Sequence, residues 1–563
     1  MDEKTQPSSK YFVKRNLLLA ALFLVFLFLR LFTDTSLILL GSDNLKYLYA
    51  SETFPLHKMY NDQLYLLHPP MFPYAIHFLN SFIDKDYMAA IAVSLISSIA
   101  TFFLLYKFFM MITGNFPVTY FVLVFYTLSV AFVSAARAAL KESFIVMLII
   151  ATLYFYVAGL KYERKRYFLL SALSGAILGF AADHVIFVLP ALVVSYLIFN
   201  RWGINLRLLK FKAIKYAVFP ILVTFISYSG WLLIKFLEYS GAIYFPNGVE
   251  GTPVSTESLT LLKVITPTQF EDFNAPFVAT GALSLVKRLI FHFGYMFNME
   301  PFSIPRGINL STANFLFYPY HLIYMVMIYL PLSLVALYGF VKAFASIIKG
   351  RKIQNNFNLY ITILFFIFLV PLTKPFASPR FIYTSYIFLF YFLSYGLYLL
   401  FSRKKSRISP NKVILLTAVI LLLIIPYWYY KNPYPVYSIR AHIASEKTGD
   451  FINQNLEKDA MIIAQPGYGV KVMYLTKRKT IGLHPDPDKF IEHINFYDAD
   501  YVVFGKKYTL DFYHYSLDTI NYIENNPSKF KLIADISEDY SQFYVEGDPA
   551  RNDRVYIYKI LKS

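Results

Sequence analysis

The stretch LILLGSDNLKYLYASETF, residues 37–54, follows a run apolar enough to lie in a bilayer, and it sets an aspartate where the chain would leave its first crossing. Asp43, Tyr47 and Ser51 are four residues apart, so a helix here carries them on one face. Taken alone, the segment reads as a solvated helix start, with Ser42 or Asp43 as N-cap and Leu45 and Leu48 resting on lipid headgroups. The rest of the chain changes that reading.

The 563 residues are 57% hydrophobic and 19% aromatic, with only 16% charged. A soluble domain rarely combines these values, so the composition points to an integral membrane protein. Apolar stretches run around 14–33, 88–112, 117–136, 143–160, 167–200, 213–237, 317–345, 357–373, 380–401 and 411–429. The 167–200 stretch is long enough for two short spans broken at Asp183-His184. At about 20 residues per crossing this predicts roughly eleven helices. The first is preceded by Lys4, Lys10, Lys14 and Arg15 and lacks a small-residue cleavage site, so it reads as a retained signal-anchor.

The net charge of +18 would suit a nucleic-acid partner, but its distribution argues against one. Lys and Arg crowd the N-terminus, KYERKR (161–166), RWGINLRLLKFKAIK (201–215), KGRK (349–352) and SRKKSR (402–407). These are alternate loops of an eleven-span chain, as the positive-inside rule requires of its cytoplasmic face. The basic excess therefore reports topology and contact with anionic lipid. The expectation is a multi-pass plasma-membrane protein with a cytoplasmic N-terminus. With no cysteine there is no disulfide framework and no thiol chemistry.

The opposite face collects the residues that topology does not explain. It holds Asp43, His68 within LLHPPMFPY (66–74), Arg137 and Glu142 around SAARAALKES (134–143), and Asp183-His184 in FAADHVIF (180–187). It also holds a loop over about 239–316, and Lys374 and Arg380 in LTKPFASPRFIY (372–383). Charges at membrane depth are costly and commonly line a pathway or cavity. A lipid-anchored donor would present its phosphate at this face. Transfer from it needs a carboxylate to take the acceptor's proton and cations to hold the departing phosphate. Asp43 is the candidate base, with Tyr47 one turn on shaping the pocket. Arg137, His184, Lys374 and Arg380 are candidates for the phosphate, Arg being favoured for its planar fork of donors. Glu142 could orient Arg137, bind acceptor, or simply satisfy a helix dipole. His68, Glu142 and Asp183, with Tyr47, form the candidate substrate-binding set.

After about residue 430 the pattern changes. A helix over 440–456 is followed by alternating strand and helix signals in AMIIAQ, GVKVMYLT, KTIGLH, PDKFIEHINFY, DYVVFG, YSLDTINYIENN, FKLIADI and RVYIYKI. That alternation predicts an α/β domain over 431–563 with a partly parallel sheet, extracytoplasmic if the span count is odd. Residues 1–430 would form the transmembrane catalytic domain.

The order of SDNLKYLYA, HPPMFPY, RAALKE, GAILGFAADHVIFVLP and SPRFIYTSYIFLF, closed by an exterior α/β tail, resembles the GT-C membrane glycosyltransferases. The branch it resembles is the dolichyl-phosphate-mannose protein mannosyltransferase and aminoarabinose transferase group. The resemblance implies an inverting transfer of one sugar from a polyprenyl monophosphate donor to a lipid, glycan or protein acceptor. It maps the base to Asp43, an Arg-x4-acid element to Arg137 and Glu142, and a late Arg-aromatic pair to Arg380 and Phe381. Two positions depart from the family pattern. Asn44 follows Asp43 where a second acid is frequent, and one carboxylate beside an amide is a poor site for a hard cation. No cofactor is therefore expected, and a divalent metal has no support. Asp183-His184 stands where Lys or Thr often follows the glycine-rich span. His184 would serve the phosphate when protonated or as a neutral donor.

The oligosaccharyltransferase branch would carry a Trp-Trp-Asp signature outside the membrane, whereas Trp202, Trp231 and Trp428 all precede the tail. Two other readings compete. A transporter would show charges at the midplane and helices broken in paired positions; Arg30 and Asp183 are the candidates, and both can be placed near the outer surface. A non-catalytic membrane scaffold displaying the tail would tolerate changes at Asp43 and Arg137.

Overall fold

The computed structural model describes residues 9–31, 42–52, 58–59, 63–64, 69–83, 86–137, 141–182, 185–201, 211–241, 330–348, 353–369, 383–402, 447–465, 472–473, 475–484, 486–505, 517–539 and 552–562. The predicted span over 411–429, nearly all of the 239–316 loop, and His68, Asp183, His184, Lys374 and Arg380 lie outside them. The chain divides into two compact units.

The first unit is helical. It contains α1 (Ser9–Leu31), most of α4 (Asp86–Thr113), α5 (Phe116–Leu128), α6 (Val130–Arg137), α7 (Lys141–Tyr162), α8 (Lys165–Gly179) and α9 (Val185–Arg201). It continues with most of α10 (Phe211–Gly241), then α11 (Leu330–Ile348), α12 (Ile353–Leu369) and α13 (Tyr383–Phe401). Among the described residues, the helices over Tyr87–Thr113, Lys141–Tyr162, Tyr216–Ile234 and Tyr383–Phe401 are each long and apolar enough to cross a membrane, and the α5–α6 pair adds a fifth if it is one span. Helices suit this medium because their backbone groups are satisfied internally. Leu17, Leu24, Leu173, Ile226 and Leu337 are exposed on their outsides, so the unit is apolar both within and without, as a bilayer protein must be.

Hydrophobicity cannot draw helices together in lipid, so packing and buried polar contacts must. α11 and α13 approach through Gly339 and Gly396. A methyl on Gly339 would collide with the Phe392 carbonyl, and one on Gly396 with the Val335 carbonyl. Asn358 joins three helices, accepting from the Tyr391 hydroxyl at 2.5 Å and donating to Ser346 Oγ at 2.8 Å. Ser195 and Tyr360 pair at 2.8 Å between α9 and α12.

The sequence reads 117–136 as one continuous crossing, but the structure breaks it. α5 starts conventionally, with Asn115 Oδ1 accepting from the Val118 amide and Pro117 in the first turn. It stops at Ser129, whose extended backbone (ψ 116°) turns α6 away by 66°.

The second unit gathers α2 (Ser42–Glu52), β1 (Lys58–Met59), β2 (Gln63–Leu64), α3 (Met71–Asn80) and the C-terminal α/β region. β1 and β2 form a short antiparallel ladder. After a helix over 447–455 come β3 (Ile462–Ala464), β4 (Thr480–Gly482), α14 (Pro487–Tyr497), β5 (Tyr501–Gly505), α15 (Leu517–Glu524), β6 (Phe530–Asp539) and β7 (Asn552–Ile560). The strands lie in the order β4-β3-β5-β7-β6, parallel among the first three and antiparallel beyond. β3 and β5 are buried on both faces, which is why IIA and YVVFG read as unbroken apolar runs. One face packs Ile452, Ile462, Val503 and Ile557 together; the other packs Ile463, Phe490, Val502, Ile520 and Phe530. Asp486 caps α14, its Oδ1 accepting from the Asp488 amide at 2.9 Å.

Candidate active site

The backbone of α2 begins at Ser42 and sets Asp43 in its first turn, on the same face as Tyr47 and Ser51. Tyr47 and Ser51 are buried. Tyr47 is 1% exposed and meets Phe72 of α3 edge-on at 5.2 Å. Ser51 is equally buried, and its carbonyl accepts from His77 Nδ1 at 2.9 Å. Leu48 is fully buried as well, so the expectation that it rests on lipid headgroups does not hold. α2 packs on α3 because its apolar residues occupy more than one side.

The far end of α2 is tied to the C-terminal region. Lys477 donates to both Glu52 carboxylate oxygens, at 2.5 and 2.7 Å, with its ammonium 5.9 Å from the Tyr49 ring. This exposed pair contributes a few tenths of a kcal/mol to about 1 kcal/mol. Its meaning is geometric: the helix carrying Asp43 and the α/β region lie together.

In the helical unit, Arg137 closes α6 and Glu142 opens α7. Arg137 is half-buried and Glu142 is buried in the first turn, where a carboxylate favours the helix dipole. The short α6 exists only because the span breaks, so the break decides where Arg137 stands.

A residue weighed in the sequence only as a transporter's midplane charge proves central to this corner. Arg30, 2% exposed at the end of α1, sends Nε to Ser98 Oγ at 2.9 Å. Its Nη2 and Nη1 go to the Tyr126 and Thr127 carbonyls at 3.2 and 3.3 Å. The guanidinium stacks over Phe26 at 3.7 Å and lies 5.2 Å from the Tyr126 ring centre. Arg137 is close enough for the two like charges to act on each other. The signal in the sequence was an arginine inside the apolar run FLFLRLF; its partners, a hundred residues away, were not visible there.

Helices of this length and polarity, buried polar cross-links and a cation at a broken span define a polytopic membrane protein. The family model described as Dolichyl-phosphate-mannose-protein mannosyltransferase matches residues 67–231. The crystal structure of ArnT from Cupriavidus metallidurans in the apo state superposes with a TM-score of 0.51 at 11% identity, covering 98% of each chain. The structure of the same protein bound to undecaprenyl phosphate gives 0.48 at 13% identity, again covering 98% of each. The S. cerevisiae protein O-mannosyltransferase Pmt1-Pmt2 complex bound to the sugar donor gives 0.31 at 16% identity, over 40% of this chain and 34% of that one. No curated protein sequence matches. The chain thus resembles the GT-C membrane glycosyltransferases of the mannosyltransferase and ArnT group, by a family match over part of its length and by the apo ArnT fold over nearly all of it. The matched stretch holds His68, Arg137, Glu142, Asp183 and His184, while Asp43, Lys374 and Arg380 fall outside it.

Proposed function

We propose that the protein is an inverting glycosyltransferase that moves one sugar from a polyprenyl-phosphate donor to an acceptor on the extracytoplasmic face. The observation that carries this reading is the family match over 67–231, which spans Arg137 at the end of α6 and Glu142 at the start of α7. The acceptor hydroxyl attacks the anomeric carbon opposite the phosphate. Asp43 takes the hydroxyl proton as the new C–O bond forms, and the old bond to the phosphate oxygen breaks. The polyprenyl phosphate departs with one more negative charge, held by Arg137, His184, Lys374 and Arg380. These cations act mainly in the transition state, where that charge develops. Tyr47, His68, Glu142 and Asp183 complete the substrate site. In this reading about eleven spans and a catalytic portion over 1–430 are followed by an extracytoplasmic α/β domain over 431–563.

The test is sugar release from synthetic polyprenyl-phosphate donors by the full chain in nanodiscs. The wild-type protein should release polyprenyl phosphate, and Asp43→Asn should lower turnover by about 10²–10⁴-fold with donor binding little changed. Near-normal turnover in that variant would remove Asp43 from the mechanism. Solute movement across sealed vesicles without transfer from any donor would establish a transporter instead.

A further inference from the structure

We propose that Arg30 is a positioning residue: it holds open the break between α5 and α6 and thereby sets where Arg137 stands. An unbroken helix would hand the Tyr126 and Thr127 carbonyls the amides of Val130 and Ala131. The 66° bend at Ser129 takes those amides away. An orphaned carbonyl in a membrane interior costs several kcal/mol, so a bent span persists only where another donor replaces the lost one. Arg30 supplies both replacements from α1, through Nη2 and Nη1.

The surrounding groups hold the guanidinium in place. Nε donates to Ser98 Oγ, Ser98 Oγ pairs with the Tyr126 hydroxyl at 3.0 Å, and that hydroxyl donates to the Ser98 carbonyl at 3.2 Å. Phe26 lies flat beneath the charge. Arg30 thus bonds α4 and the end of α5 at once, and a planar fork can do this where an ammonium cannot. Its acceptors in this network are a hydroxyl and two carbonyls, all neutral, so its positive charge adds to that of Arg137 nearby. A buried arginine with this arrangement fixes the start of α6, and α6 is only eight residues long with Arg137 at its end.

The clamp is a claim about structure; its effect on turnover rests on the transferase reading. The absence of native cysteine allows the two to be separated. Ala136 on α6 and Ala343 on α11 are both fully buried. In full-length protein in nanodiscs, Ala136→Cys and Ala343→Cys are each labelled with N-ethylmaleimide, with and without Arg30→Met. Arg30→Met should raise labelling at position 136 about tenfold and leave position 343 unchanged, since only the clamped element is released. Arg30→Lys should fall between, because it restores charge and one donor direction. In the transfer assay Arg30→Met should lower kcat by about 10²-fold, as for loss of a transition-state contact, with donor KM little moved. Combined with Arg137→Met it should cost less than threefold more, because both changes remove the same interaction. Unchanged labelling at 136, equal increases at both positions, or losses that multiply would each overturn the proposal. If the wild-type protein transfers no sugar, the transferase reading fails, and the labelling result alone upholds or overturns the clamp.

Discussion

Acidification should loosen the C-terminal α/β region through one histidine. His484 is 3% exposed, and its Nδ1 accepts from the Asp486 amide at 3.0 Å. With that amide donating, Nδ1 is bare and the neutral ring carries its proton on the buried Nε2, while the Asp486 carbonyl lies 3.3 Å from the same Nδ1. Burial holds the His484 pKa below its ordinary value, against the hydrogen bond to the Asp486 backbone that raises it; the charges of Lys489, Asp486 and Glu492 act on it more weakly. The His493 ring lies edge-on at 5.3 Å. A second proton goes to Nδ1, which gives up the bond from the Asp486 amide for one to the Asp486 carbonyl and so loosens the turn leading into α14. Because the folded pKa is lowered, stability is complete above the unfolded value of about 6.5 and falls as pH drops from there towards the folded pKa. One proton difference costs at most about 1.4 kcal/mol per pH unit, so at pH 5.5 the loss is at most about tenfold in the opening equilibrium. Hydrogen exchange of the 486–497 amides in the full chain, corrected for intrinsic rates, measures it. The slope below pH 6.5 should vanish in His484→Asn, whose amide oxygen takes the place of Nδ1 and accepts at every pH. An equal slope in that variant would refute the reasoning.

Arg380→Met should lower sugar transfer by about 10²-fold and Arg380→Lys should recover only part of it, since a point charge cannot bind two phosphate oxygens in one plane; wild-type rates in both variants would remove Arg380 from the phosphate site. Gly339→Ala should shorten the thermal-inactivation half-life in detergent. Overpacking against the Phe392 carbonyl costs about 1–3 kcal/mol, which outweighs the roughly 1 kcal/mol gained in helix propensity. Protease added outside sealed, right-side-out cells should cut within 430–563 and spare 402–407; the reverse pattern would place the α/β region in the cytoplasm and undo the shared-face mechanism.

The membrane character of the chain was legible because lipid exposure demands apolar residues throughout, and a composition signal of that strength survives any packing. The alternation of the tail was legible too, since IIA and YVVFG sit in a two-sided sheet and PDKFIEHINFY has its own cap. The break at Ser129 was not. Nothing in FVLVFYTLSVAFV interrupts its hydrophobicity, and what makes the bend affordable is a donor on α1. Period placed Asp43, Tyr47 and Ser51 on one face, but did not show that Phe72 of α3 would meet Tyr47. In the candidate site, Arg137 and Glu142 take span-end positions as their spacing suggested. Arg30 escaped because its importance lies in partners rather than in a motif.

The bond from Lys477 to Glu52 joins positions 425 residues apart in the chain. At about 5–20 residues per second, a ribosome makes the first-loop helix some 20–85 s before the lysine that will hold its far end exists. The helix that carries Asp43 must wait on early-made neighbours such as α3 and β1 while every later crossing is threaded. Its final anchoring is among the last events of biogenesis, so a truncation near the C-terminus would reach a residue made at the very start.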